Sequence, residues 1–167
     1  LREMVAAGRF GELYFGEAEY VHEAKGLFWK KDGSLTWRGE MWAERNGGSA
    51  IGVHTLCPLV QMFKERVASV CARGSGVYTM PDMKINDTVL ALCSTESGKL
   101  LKLRLDIVSN RPTIPGLEFV ALQGTKGCYE SPRGMGDDHK AWFIDECEHG
   151  KWRPLKEYEK YLPEVWR

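Results

Sequence analysis

The spacing of apolar residues changes several times along the chain, and each change marks a predicted element. Leu1-Arg2-Glu3-Met4-Val5-Ala6-Ala7-Gly8 reads as an amphipathic helix stopped by glycine. Gly8-Arg9-Phe10-Gly11 makes a turn, and residues 12–22 read as a strand with small residues on one side. Residues 24–46, rich in Gly, Lys, Trp and Arg with no steady period, predict a long loop. Between Asn46 and Phe63 a Gly-Gly pair gives way to small and apolar residues. Leu56, Leu59, Val60 and Phe63 then recur at the spacing of one helix face. Pro58 fits the first turn of that helix, where its missing N–H would have had no intrahelical partner.

The second half is dominated by period-2 patterns. Residues 67–72 predict a short strand, and Arg73 to Met80 is rich in turn residues. Residues 87–94 and 100–108 form a hairpin about Glu96-Ser97-Gly98-Lys99. Leu101, Leu103, Leu105 and Ile107 alternate with Lys102, Arg104 and Asp106, which predicts one buried and one wet face. Ser109-Asn110-Arg111-Pro112 breaks the strand. Residues 117–130 supply two more strands around Gly124-Thr125-Lys126-Gly127, and Trp142-Phe143-Ile144 and Trp152 read as short strand pieces in a polar last third.

Length and composition narrow the class. The 167 residues suit one sizeable domain with a real core. A net charge of zero with acids and bases intermixed points away from nucleic acid and from a polybasic membrane anchor. Apolar runs far below spanning length predict a soluble protein. Five cysteines at irregular spacing predict reduced thiols in a cytoplasmic protein, most of them buried as small hydrophobes. Asp137-Asp138-His139 reads as a solvated turn, because adjacent ligands on one loop do not make a metal site; no metal is expected. Lys126 is no P-loop lysine, since a strand and not a helix follows it.

The candidate chemistry centres on His54, where loop becomes helix. Free N–H groups and the positive end of the helix dipole keep an imidazole there available near neutral pH, which makes it a candidate acid/base. A capping or core hydrogen-bonding role is the alternative.

Gly47-Gly48-x-x-x-Gly52-x-His54 followed by an apolar helix resembles the central motif of the substrate-binding domain of Gfo/Idh/MocA-type NAD(P)-dependent oxidoreductases. The opening helix, Gly-x-x-Gly and long strand beginning Glu-Leu resemble the start of that domain, and Gly124-Thr125-Lys126-Gly127 after an apolar strand is a third likeness. His54-Thr55-Leu56-Cys57-Pro58, Asn110-Arg111-Pro112 and residues 157–163 are similar to the branch that includes NAD-dependent glycoside hydrolases acting on N-acetylgalactosaminides. The resemblance implies an α+β fold: a mixed, mainly antiparallel open sheet with helices packed on one face, of the dihydrodipicolinate-reductase-like C-terminal type.

It also implies roles. His54 stands beside the nicotinamide as proton donor or acceptor for a sugar or polyol. Arg38, of the Trp37-Arg38 pair, reaches the substrate pocket or is stacked on Trp37 or Trp42. Trp29, Trp37 and Trp42 suit a carbohydrate-facing wall, with core or interface packing expected for at least two of them. Arg111 faces the pocket from a loop, and His22, at a strand end, contacts substrate or is solvated. NAD or NADP is held by an N-terminal Rossmann domain outside these residues, as is the extreme C-terminus. Residues 1–167 are then a single substrate-binding and dimerisation domain, inactive alone and forming a homo-oligomer through the sheet face. Two departures stand out: many relatives carry Asp where this chain has Ala50 and Cys57, and the glycosidase branch commonly carries Tyr where it has Ile51. Redox at a sugar hydroxyl is the expected reaction. The alternatives are NAD-dependent glycoside hydrolysis and a non-catalytic oligomerisation module.

Overall fold

The computed structural model describes residues 1–44, 52–113 and 118–166. Gly47, Gly48, Ala50, Ile51 and Leu117, all used above, lie outside them. Among the described residues three α-helices, α1 (Arg2–Ala6), α2 (Trp37–Glu44) and α3 (Val53–Phe63), accompany eight strands. The strands are β1 (Leu13–Val21), β2 (Val67–Gly74), β3 (Val89–Thr95), β4 (Leu100–Asp106), β5 (Glu118–Gly124), β6 (Gly127–Glu130), β7 (Lys140–Phe143) and β8 (Arg153–Pro154). They form one open sheet in the order β2-β3-β4-β1-β5-β6-β7-β8. Only β1 and β4 pair in parallel; the other neighbours are antiparallel. This is the expected mixed, mainly antiparallel α+β sheet.

The sheet sides follow from alternation and register. Gly16, Ala18 and Tyr20 of β1 stand opposite Leu101, Leu103 and Leu105 of β4, and opposite Leu122, Val120 and Glu118 of β5. Side chains at paired positions share a face, and α3 lies on this one. Leu59, Met62 and Phe63 of α3 are buried with Ala18, Leu101, Leu103 and Leu122 in the main core. Gly16 permits the close approach, because a Cβ there would come 2.9 Å from the Phe63 ring and 3.0 Å from Leu59.

On the other side, Glu17 and Glu19 of β1 meet Lys102 and Arg104 of β4, and Arg133 closes over them. The Arg133 guanidinium lies 3.6 Å from the centre of the Phe119 ring while bonding Glu19 at 3.1 Å and Glu17 at 3.2 Å. Burial opposes ionisation of Glu17, but Lys102 and Arg133 outweigh it and hold the carboxyl below its usual range.

The two glycine-containing turns singled out in the sequence pack on each other. The Thr125 and Lys126 amides donate to the carbonyls of Glu12 and Phe10, and the Glu12 amide donates to the Thr125 hydroxyl. The turn thus pins the start of β1 to the β5–β6 hairpin, and its Thr125 and Lys126 amides are occupied by protein. At Gly124 a Cβ would sit 2.1 Å from the Phe10 carbonyl oxygen. At the end of α1 the Gly8 and Arg9 amides donate back to Val5 and Met4, the paired closure that glycine favours there.

Four expectations need correction. Residues 24–46 are not one long loop: a 3-10 turn at Lys25–Leu27 and an isolated Trp29–Leu35 bridge precede α2. Thr36 caps α2, accepting the Gly39 amide at 3.2 Å while donating to the Leu27 carbonyl at 2.6 Å. Trp42 anchors the helix in a second core with Phe28, Met83, Ile85, Ile107 and Val108. The short helix has too few apolar residues to show a period in the sequence. Asp106 is not on a wet face but buried, because it turns into the strand-ending loop to accept the hydroxyls of Thr88 and Ser109 and the Ser109 amide. Pro58 stands in the second turn of α3, not the first, since the helix begins at Val53; it has no N–H to give the His54 carbonyl. Of the cysteines only Cys93 is buried, Cys57 and Cys71 being exposed on an outer helix face and the edge strand β2.

No described helix is long and apolar enough to cross a membrane. Replacing Gly124 with Ala drives a methyl into backbone, so thermal unfolding should show a loss of at least about 2 kcal/mol and a Tm lower by about 4–8 °C. Gly26→Ala, where a Cβ meets nothing within 4 Å, is the neutral control. Glu65 clasps the β3–β4 turn through Lys99 at 2.8 Å and Ser97 at 2.7 Å, chiefly Lys99 holding its carboxyl at about 2. Its folded pKa is depressed below the unfolded carboxylate value, so the stabilisation is present above about pH 4.5 and is lost as pH falls toward 2. The stability gap between wild type and Glu65→Gln should therefore close over that window in acid-unfolding curves.

Candidate functional site

The C-terminal end of β1 and the N-terminal mouth of α3 meet on the helix-covered side of the sheet. Because Gly16 seats α3 across the central strands, the helix entrance reaches the end of the same strand face, where Tyr20 stands. The His54 ring stacks on Tyr20, centroids 4.8 Å apart and planes 16° apart. His22 meets the phenol edge-on at 4.9 Å and 90°. Glu118, directly across from Tyr20 in the β1–β5 register, brings a carboxylate oxygen to 3.8 Å from His54 Nδ1. The His54 side chain is 48% exposed, so the ring is only partly covered by these neighbours.

The local electrostatics fit a shared polar cluster. Burial raises the Tyr20 phenol, the Glu118 carboxylate adds to this and Arg38 opposes it. Burial lowers the His22 imidazole; Glu23 works against this and neighbouring His54 works with it. Arg38 lies 4.4 Å over the exposed Trp37 ring, which gives its guanidinium a fixed plane beside the cluster.

Of the residues singled out from the sequence, the structure therefore gathers His54 and His22 around Tyr20, while Arg38, stacked on Trp37, acts on the Tyr20 phenol through its charge. Arg111 is not among them: it is exposed and its Nε donates to the Pro112 carbonyl at 3.3 Å. Of the three tryptophans only Trp42 is core, while Trp29 and Trp37 are exposed. Tyr20 and Glu118 were missed. Tyr20 continues the Gly16-Ala18 alternation and so was readable as facing the helix. Glu118 carried no signal, because strand pairing alone brings it there.

Farther along the same side, a cavity of about 290 Å³ is lined by Glu118, Val120, Tyr129, Ser131 and His139, among others. His139, expected in a solvated turn, is exposed but bonds the buried Tyr129 hydroxyl through Nδ1 at 2.7 Å. Burial raises the Tyr129 phenol above its ordinary value. Asp137 accepts the Arg133 amide and Lys140, and among the described residues no group of three His, Cys, Asp or Glu is placed to hold a metal ion.

Comparison with known proteins bears on this arrangement. Glycosyl hydrolase family 109 protein 1 of Akkermansia muciniphila is 26% identical over 98% of this chain and 38% of its own length. The chain spans about two-fifths of the length of the curated relatives it matches. Among solved structures, an oxidoreductase domain protein from Kribbella flavida superposes with a TM-score of 0.67 at 19% identity, covering 91% of this chain and 41% of that one. Levoglucosan dehydrogenase in complex with NADH and levoglucosan superposes with a TM-score of 0.68 at 14% identity, with the same coverage. These structures share the fold. The model of the GFO/IDH/MocA C-terminal domain matches residues 1–130 of the 167, and the chain belongs to that family.

Proposed function

We propose that this chain is the substrate-binding half of an NAD(P)-dependent oxidoreductase acting on a sugar or sugar derivative, with His54 as the acid/base. The observation that carries this reading is the half-exposed His54 ring, held on Tyr20 at the mouth of α3 beside Glu118, His22 and Arg38. A bound nicotinamide supplies the hydride acceptor or donor. Its reacting end would lie beside the half-exposed His54, whereas the Thr125 and Lys126 amides of the glycine turn are already bonded to Glu12 and Phe10 and are not free to hold its phosphates. The cofactor's phosphates are therefore assigned to an N-terminal domain outside this chain.

In this mechanism His54 takes the proton of a substrate hydroxyl as the carbonyl forms, and returns it in the reverse direction. Arg38, its plane set by Trp37, donates in fork geometry to a second hydroxyl or to a carboxylate. His22, held in its neutral form by burial, offers one donor and one acceptor to a polyol. Leu90 and Leu92, exposed on the face away from α3, support pairing of two copies through the sheet.

A second reading, NAD-dependent glycoside hydrolysis, is favoured by the likeness to the glycosyl hydrolase family 109 protein over nearly the whole chain. The same histidine step serves both. In the complete protein, NAD(P) with free sugars should give net reduced cofactor; aryl release from glycosides without net NADH would reverse the order of the two readings. His54→Ala should lower turnover by about 10²–10⁴-fold with dimerisation unchanged. A loss smaller than about tenfold would instead leave a non-catalytic assembly module.

A further inference from the structure

An imidazole that moves a proton must be held in one orientation and one tautomer, and the atom that transfers the proton is fixed by what the other nitrogen binds. Two contacts meet these needs at His54. Stacking on Tyr20 fixes the ring plane, and the Nδ1 edge faces the Glu118 carboxylate at 3.8 Å. Glu118 is itself set by backbone pairing, as the first residue of β5 directly across from Tyr20. Among the described residues its ion-pair contact is with His54 Nδ1, and no lysine or arginine nitrogen pairs with it. Burial raises the Tyr20 phenol, and the carboxylate of its register partner Glu118 adds to this.

We propose that Glu118 is a positioning residue for His54: its carboxylate accepts a hydrogen bond from Nδ1–H and so leaves Nε2, on the opposite edge of the half-exposed ring, as the proton-transfer atom. The gap of 3.8 Å closes with a small side-chain rotation or through one water, as apo acid/base contacts commonly do on binding substrate. The role differs from direct substrate contact, because Glu118 then acts only through the ring it orients. This inference rests on the acid/base reading of His54 for its catalytic consequence, while the tautomer itself stands independently of that reading.

The test is the protonation site of neutral His54, read by long-range 1H–15N correlation in the complete protein labelled with 15N-histidine, with His54→Ala supplying the assignment. Wild type should carry the proton on Nδ1. Glu118→Ala should move the neutral ring to the Nε2–H form, and Glu118→Asp should keep part of the Nδ1–H population. An Nε2–H ring in wild type, or an unchanged Nδ1–H ring in Glu118→Ala, overturns the proposal. In steady-state kinetics Glu118→Ala should lower kcat by about 10–100-fold with KM within about threefold, and Glu118→Asp should recover part of the loss. The opposite split, a raised KM with kcat intact, would assign Glu118 to substrate binding and also overturn it. Should His54→Ala leave turnover unaffected, the acid/base reading fails whatever tautomer is found, so the two failures are distinguishable.

Discussion

The seating of α3 on Gly16 governs where everything else at the site can lie. With no side chain at that position the helix descends until Leu59 and Phe63 touch the central strand, and the same contact fixes how far the helix mouth overhangs the end of β1. His54 is two residues into the helix and Tyr20 four beyond Gly16, so their stack is a geometric consequence of that single close approach. A larger residue at 16 would lift the helix and part the two rings even though neither had changed.

The sheet gives its two faces different work. One carries α3, the main core and the polar cluster. The other carries alternating charges that are mutually paired, with Arg133 closing over Glu17 and Glu19 while resting on Phe119. Pairing with Arg104 and Arg133 compensates the buried Glu19 carboxylate, and the paired charges favour one register of β1 against β4, since a one-residue slip would place them against the apolar face. Fixing that register also fixes Tyr20 relative to Glu118, so the ion pairs on one side contribute to the geometry of the cluster on the other.

The glycine-containing turns have a related part. The Phe10 and Glu12 carbonyls accept the amides of the Gly124-Thr125-Lys126-Gly127 turn, which ties the start of β1 to the β5–β6 hairpin. β1 is thereby held at its first residues by a turn, along its length by β4 and β5, and at its last residues by packing beneath α3. A site built at the end of such a strand is more precisely placed than one built on loops alone.

Much of this was readable from residue order alone. Strict alternation over Leu101 to Ile107 gave the hairpin and its buried face, the apolar spacing after His54 gave α3, and motif order pointed to the family. Those features are local, and local periodicity records which way a side chain turns. α2 was hidden because its anchor, Trp42, packs with Phe28, Met83 and Ile107, residues far apart in the chain. Asp106 broke its pattern because hydroxyls and an amide from two loops bond it within the fold. The stacking of His54 on Tyr20 and the arrival of Glu118 opposite were decided by tertiary structure, since only strand register and helix seating bring groups that many residues separate to within a few ångströms.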